Sequence, residues 1–206
     1  MIAIVDYDAG NLTSVAAALA KLGFEAAITS RPADLAQAER IIFPGVGAAG
    51  SAMRNLQRLG LAQALRTAVA SGKPFLGICL GFQILFEHSD EDGGTACLGI
   101  LPGKVVRFRE GMVENGVGPL KVPQMGWNGA AFRGEHPVWS GLPDGSEFYF
   151  VHSYHPLPAE TDVCATTLYG MEFASGVARG SLVAFQFHPE KSGRPGLQLL
   201  ENFCRW

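Results

Sequence analysis

Cysteine is scarce and scattered in this chain: Cys79, Cys97, Cys164 and Cys204 are the four among 206 residues, and no two form a C-x-x-C pair. That spacing signals neither a zinc site nor a disulfide framework. Long apolar runs are missing too, none approaching the roughly 20 residues that span a bilayer. No extended basic stretch is present to neutralise phosphates, and the net charge is −3. Nucleic acid and anionic membranes are therefore unfavoured partners. The opening "MIAIVDYDAG" has no basic residue ahead of its apolar ones and reads as a first strand rather than a secretion signal. A cytoplasmic protein is the expectation. Repeats, low-complexity tracts and flexible linkers are also lacking. What is there, 48% hydrophobic and 17% charged residues, predicts a single domain over residues 1–206 with a sizeable core.

The first ninety or so residues alternate β-like and helical stretches. "IAIVDY" precedes "NLTSVAAALAKLG", where Asn11 or Thr13 can cap a helix and Gly23 can close it. "FEAAITS", the Pro-started "PADLAQAE", "RIIF", an Ala- and Leu-rich stretch from Ser51 to Ala70, "PFLGI" and a helix from about Leu80 to His88 follow. This alternation predicts a mainly parallel sheet flanked by helices. Beyond about residue 95, "GKVVRFRE", "EFYFVHSYHP", "DVCATTLYG" and "SLVAFQFHPE" are β-like segments between Gly- and Pro-rich turns. They predict an added antiparallel β segment, and "GRPGLQLLENFCRW" predicts a closing helix.

Three motifs carry chemistry. In Gly77-Ile78-Cys79-Leu80-Gly81 a cysteine stands between glycines, after an expected strand and before an expected helix. This has the logic of a nucleophile turn: the glycines permit a sharp bend, and a helix N-terminus favours a thiolate. The alternative is a small buried cysteine in a packed junction. A nucleophile needs a base, and the chain has five histidines. His88, at an expected helix end, and His136, in "RGEHPVW", fit solvated positions. His152 and His188 fall where strands end, the edge at which α/β sheets hold their sites. His188 is the better candidate because Glu190 follows two residues on and can fix the imidazole tautomer. A turn with a proline remains the other reading of "HPE". The third motif, "IIFPGVGAAG", contains G-x-G-x-x-G as Gly45, Gly47 and Gly50. No Asp or Glu occurs from Ser51 through Phe86 to hold a ribose, which counts against dinucleotide binding. A Gly-rich turn at a strand end can instead aim backbone N–H groups at an oxyanion.

Taken together, the PGVG turn, the G-x-C-x-G-x-Q turn and the H-P-E strand end resemble the class I glutamine amidotransferase (triad glutaminase) family. The opening "IVDYDAGNLTSV", the middle "PQMGWN" and the closing "FQFHPEKS" extend the resemblance nearly end to end. Asp8, where the family commonly has glycine, and Phe82, where methionine is common, are two departures. The resemblance implies a flavodoxin-like fold and hydrolysis of L-glutamine to glutamate and ammonia through a thioester on Cys79. It makes His188 the acid and base and Glu190 its orienting partner. It places the oxyanion hole at the backbone of Gly45, Val46, Gly47 and Leu80, and glutamine contacts at Gln83, Ser153 and Tyr154. It implies no metal and no cofactor. Because free ammonia is lost to protonation in water, it also implies a partner, a cyclase subunit with a (β/α)₈ barrel in a heterodimer. Asn11, Met125, Trp127, Asn128, Tyr149 and Lys191 are the interface candidates it suggests. "PQMGWN" can alternatively be a loop near the glutamine site, and Trp127 a core residue.

Competing readings are a glutaminase feeding a different synthase, a stand-alone cysteine hydrolase, and an idle binding subunit. The first should lack "DYDAGN" and "PQMGWN" in this form, the second should work fully without a partner, and the third could dispense with a triad member.

Overall fold

Residues in the first strand alternate between two apolar destinations. Ile2 and Ile4 enter one buried cluster, Ala3 and Val5 the other, so the strand β1 (Ile2–Val5) has to be covered on both faces. The computed structural model describes residues 1–8, 10–114, 116–143 and 145–206. It contains α1 (Leu12–Lys21), β2 (Ala26–Thr29), α2 (Pro32–Gln37), β3 (Arg40–Gly45), α3 (Ala49–Arg58), α4 (Leu61–Ala70), β4 (Phe75–Cys79), α5 (Leu80–Gln83) and a closing helix α6 (Gly193–Arg205). Val15 and Leu19 of α1 pack with Leu199, Leu200 and Phe203 of α6 under one face, while Leu35, Leu56, Leu61 and Leu65 of α2, α3 and α4 cover the other.

Strands β2, β1, β3, β4 and Leu182–Phe185 run parallel in that spatial order. Glu172–Arg179, Val163–Leu168 and Ala131–Phe132 then extend the same sheet antiparallel. The order 2-1-3-4 with a fifth parallel strand is the doubly wound arrangement expected, and it turns the carboxyl ends of neighbouring strands to one edge. A separate antiparallel pair, Gln124–Gly129 with Glu147–His152, and the strand Tyr154–Pro158 against Gly103–Arg107 form the added β segment.

Several local expectations change. The helix expected from Leu80 to His88 ends at Gln83, because the following carbonyls of Ile84, Leu85 and Phe86 are taken by N–H groups of residues 98–101 instead of a continuing helix. His88 consequently lies on a short strand, not at a helix end. The stretch from Ser51 to Ala70 is two helices, divided where Gly60 adopts φ +68°. "PQMGWN" lies largely in a strand rather than a loop, and Glu172–Arg179 is a strand that the periodicity did not single out. Asn11 precedes α1 with φ +78° but its side chain does not cap the helix. Asp8 has φ +63°, a left-handed conformation more natural to glycine. Phe82 is fully buried against Phe86, with ring centroids 5.5 Å apart.

Candidate active site

Cys79 ends β4 and starts α5 with φ 55° and ψ −112°, a strained geometry for a residue with a Cβ. The bend exists because its neighbours give way. A Cβ on Gly81 would lie 1.9 Å from the Phe43 carbonyl oxygen, and one on Gly77 would lie 2.9 Å from the Ala184 methyl. Helix α5 therefore sits directly on β3 and aims the Cys79 side chain at the sheet's carboxyl edge. Gly45 pairs in register with Cys79 across β3 and β4. A Cβ there would overlap the Tyr7 hydroxyl at 2.0 Å, and burial beside Cys79 holds that hydroxyl protonated far above its ordinary range.

His188 follows the neighbouring parallel strand and is wholly buried. Its main chain is tied to the strand Glu147–His152: the His188 N–H donates to Tyr149 O at 2.9 Å, while Ser192 Oγ donates to His188 O at 2.6 Å and accepts from Tyr149 N at 2.9 Å. The ring's Nδ1–H donates to Glu190 Oε1 at 2.8 Å, and the Asn11 side-chain amide donates to the same oxygen. Nε2 is buried without a hydrogen-bond partner among the described residues. Burial opposes a charged imidazole, but Cys79 opposite and Glu190 behind outweigh it and raise the His188 pKa. A proton arriving at Nε2 is thus well accommodated.

Cys79 and His188 open on a cavity of about 340 Å³ that is also lined by Val46, Gly47, Leu80, Gln83, Ser153 and Tyr154. Eight of the residues expected at the nucleophile, base, oxyanion turn and glutamine site therefore converge. Gly45 does not reach the cavity: it is buried in β3, and its role is to admit Tyr7 and α5 closely. Of the interface candidates, Asn11 reaches the His188–Glu190 pair from behind through Glu190. Met125 and Trp127 are 65% and 54% exposed, so Trp127 is not a core residue. Trp127 meets Tyr149 edge-on at 6.2 Å, and the Lys191 ammonium stands 6.0 Å from the Tyr149 ring centroid. Asn128 is folded back on the chain, donating to Leu168 O and accepting from Gly129 N, each at 2.8 Å.

Glu91, Pro123, Val151 and His152 line the cavity as well. Glu91 is its one carboxylate among the described residues; one oxygen accepts from Ala49 N at 2.7 Å, and burial raises its pKa. It comes from a Gly-rich turn with no sequence signal. His152 donates from Nδ1 to Tyr154 O at 2.7 Å and meets the Gln124 side-chain amide at 3.0 Å. Burial pushes its pKa down to about 3, so it is a neutral wall of the site. Gln186, in contact with Cys79 at 3.8 Å, carried a signal: strand alternation puts residues 186 and 188 on one side.

A family model for class I glutamine amidotransferases matches residues 3–205, and the chain belongs to that family. Over its whole length it closely resembles proteins named imidazole glycerol phosphate synthase subunit HisH. The one from Methylococcus capsulatus is 51% identical over 209 residues, covering 100% of this chain and 96% of the relative. The one from Aromatoleum aromaticum is 52% identical over 209 residues, covering 100% and 98%. In fold, the structure of PurLQS from Thermotoga maritima includes a chain that matches with a TM-score of 0.73 at 19% identity, covering 99% of this chain and 97% of that one. Among the described residues no helix is long and apolar enough to cross a membrane.

Proposed function

We propose that the chain is the glutaminase subunit of an imidazole glycerol phosphate synthase, acting in the cytoplasm in L-histidine biosynthesis. The observation that carries this reading is the left-handed Cys79 at the β4–α5 bend, sharing a cavity with a buried His188 whose far nitrogen is held by Glu190. Cys79 Sγ attacks the side-chain amide carbon of glutamine, and His188 Nε2 takes the thiol proton. His188 returns it to the leaving nitrogen, ammonia departs, and a glutamyl thioester remains. Water, deprotonated by His188, then releases glutamate. Backbone N–H groups of Leu80 and the Val46–Gly47 turn receive the oxyanion, a service worth about 3 to 4 kcal/mol per donor. Glu91, the carboxylate of the cavity, suits the α-ammonium of a free amino acid.

Ammonia passes to a (β/α)₈ cyclase subunit that makes imidazole glycerol phosphate and an aminoimidazole carboxamide ribonucleotide. The exposed Met125 and Trp127, beside Tyr149 and Lys191, support a partner face close to His188. The test is glutamate release from glutamine by the chain alone, then with the cyclase subunit and its ribonucleotide ligand, with Cys79→Ala as control. Low activity alone and a large rise in the complex are expected. Full activity alone, unchanged by the cyclase, overturns the assignment to this synthase; glutamate release by Cys79→Ala overturns the chemistry.

A further inference from the structure

We propose that Gln186 serves the nucleophile directly: its side-chain amide donates a hydrogen bond to Cys79 Sγ, and Gln83 holds it in the orientation that does so. The inference rests on the reading of Cys79 as the attacking group.

Gln186 is wholly buried and its Nε2 lies 3.8 Å from Cys79 Sγ. Gln83 Nε2 donates to Tyr154 O at 2.8 Å and to Gln186 Oε1 at 3.0 Å. The direction of this chain is forced. A main-chain carbonyl only accepts, so Gln83 must present its NH₂ to Tyr154, and the second hydrogen of that NH₂ meets Gln186 Oε1. Gln186 is then left with its NH₂ facing the sulfur. Turning Gln83 over would set its oxygen against the Tyr154 carbonyl, and turning Gln186 over would set its NH₂ against that of Gln83.

Packing does not explain this residue. A buried amide whose NH₂ finds only a sulfur among the described residues is a poorer choice than a methionine of similar volume. The donor is worth more once the sulfur is charged, because hydrogen bonds to an ionised acceptor are about twice as strong as neutral ones. Gln186 thus favours the attacking thiolate over the resting thiol and fixes where the sulfur stands. Gln83, with both hydrogens occupied, offers substrate only its Oε1, which suits a donor such as the α-ammonium rather than the α-carboxylate.

The test uses the full chain with Gln186→Met, which keeps volume and removes the donor, and Gln83→Met, which leaves the sulfur untouched. Two readouts are taken: steady-state glutamate release in the complex with the cyclase subunit, and alkylation of Cys79 by iodoacetamide at pH 7 without glutamine, followed by mass spectrometry. For Gln186→Met, kcat is expected to fall about tenfold with KM within about twofold. Without the donor, negative charge on the sulfur is held less well, so alkylation should slow about fourfold. Gln83→Met should slow alkylation partway, and the double variant no more than Gln186→Met alone. Parent-like alkylation in Gln186→Met, or a loss confined to KM, overturns the proposal. If Gln186→Met does not fold, parent-like alkylation in Gln83→Met overturns it instead. Slowed alkylation in a chain that never releases glutamate would sustain the amide–sulfur bond and refute the glutaminase reading.

Discussion

Adding one methyl group at residue 81 should damage stability and catalysis together. The new Cβ of Gly81→Ala would sit 1.9 Å from Phe43 O and 2.9 Å from Phe43 C, against the 3.0 Å below which real Cβ atoms essentially never approach. Relief therefore needs a shift of about 1 Å in main chain on one side or the other. Neither side is free: Phe43 lies in β3 between β1 and β4, its ring against Tyr7 and Phe75, and α5 is buried throughout. Overpacking with no flexible neighbour to yield costs about 3 kcal/mol. In a chain of this length that is a fall in melting temperature of about 6–12 °C. Gly23→Ala is the control, since Gly23 has φ +82° and nothing within 4 Å of a Cβ; it should cost only about 1–2 kcal/mol of backbone strain. Moving Leu80 and Cys79 by about 1 Å should also cost roughly a hundredfold in glutamine turnover at temperatures where the variant is folded. Urea and thermal unfolding of both variants, with steady-state kinetics, measure this. A Gly81→Ala chain as stable as Gly23→Ala, or turning over at the parent rate, would refute the claim that close packing of α5 on β3 makes the bend.

Glu190→Gln removes the charge facing His188 Nδ1 at 2.8 Å while keeping the shape, so kcat in the complex should drop about 10²- to 10⁴-fold with little change in KM; a loss under threefold contradicts the orienting role. His152, held neutral with a pKa near 3, gives the folded chain stability that is complete above the unfolded value of about 6.5 and lost progressively as pH falls from there toward 3. Its share of the slope reaches about 1.4 kcal/mol per pH unit, and His152→Gln should flatten urea midpoints plotted between pH 6 and 4; parallel plots refute it. Trp127→Ala, at a side chain 54% exposed, should leave the isolated chain within about 0.5 kcal/mol of the parent but weaken cyclase binding by about 2 kcal/mol or more, measured by calorimetry.

What could be read in the sequence was what short spacings encode. The bend at Cys79 and the pair His188 and Glu190 are legible because glycine requirements and a two-residue offset act within a few positions. The parallel half of the sheet is legible because its strands are apolar on both faces. The helix end at Gln83 was not, since what stops α5 is the pairing of residues 84–86 with residues 98–101, a tertiary event. Strand Glu172–Arg179 was hidden by small residues; Gly176 is needed because a Cβ there would meet the Phe185 ring at 2.6 Å, a constraint set by the neighbouring strand. The hydrogen bond from the Asn11 amide to Glu190 spans 179 positions, and no local spacing announces it.

The residues that converge also explain why the antiparallel addition is part of the site rather than an ornament on it. Parallel strands bring the turn after β3, Cys79 after β4 and His188 after Leu182–Phe185 to one edge, but that edge supplies only one wall. The strand Glu147–His152 builds the opposite wall with Val151 and His152, and the Ser153–Tyr154 link carries it onward. The same strand clamps the main chain of His188 through Tyr149, whose ring meets the exposed Trp127 and the Lys191 ammonium. One wall of the cavity and the clamp on His188 share the strand, so an insertion or register slip within residues 147–152 should disturb both at once.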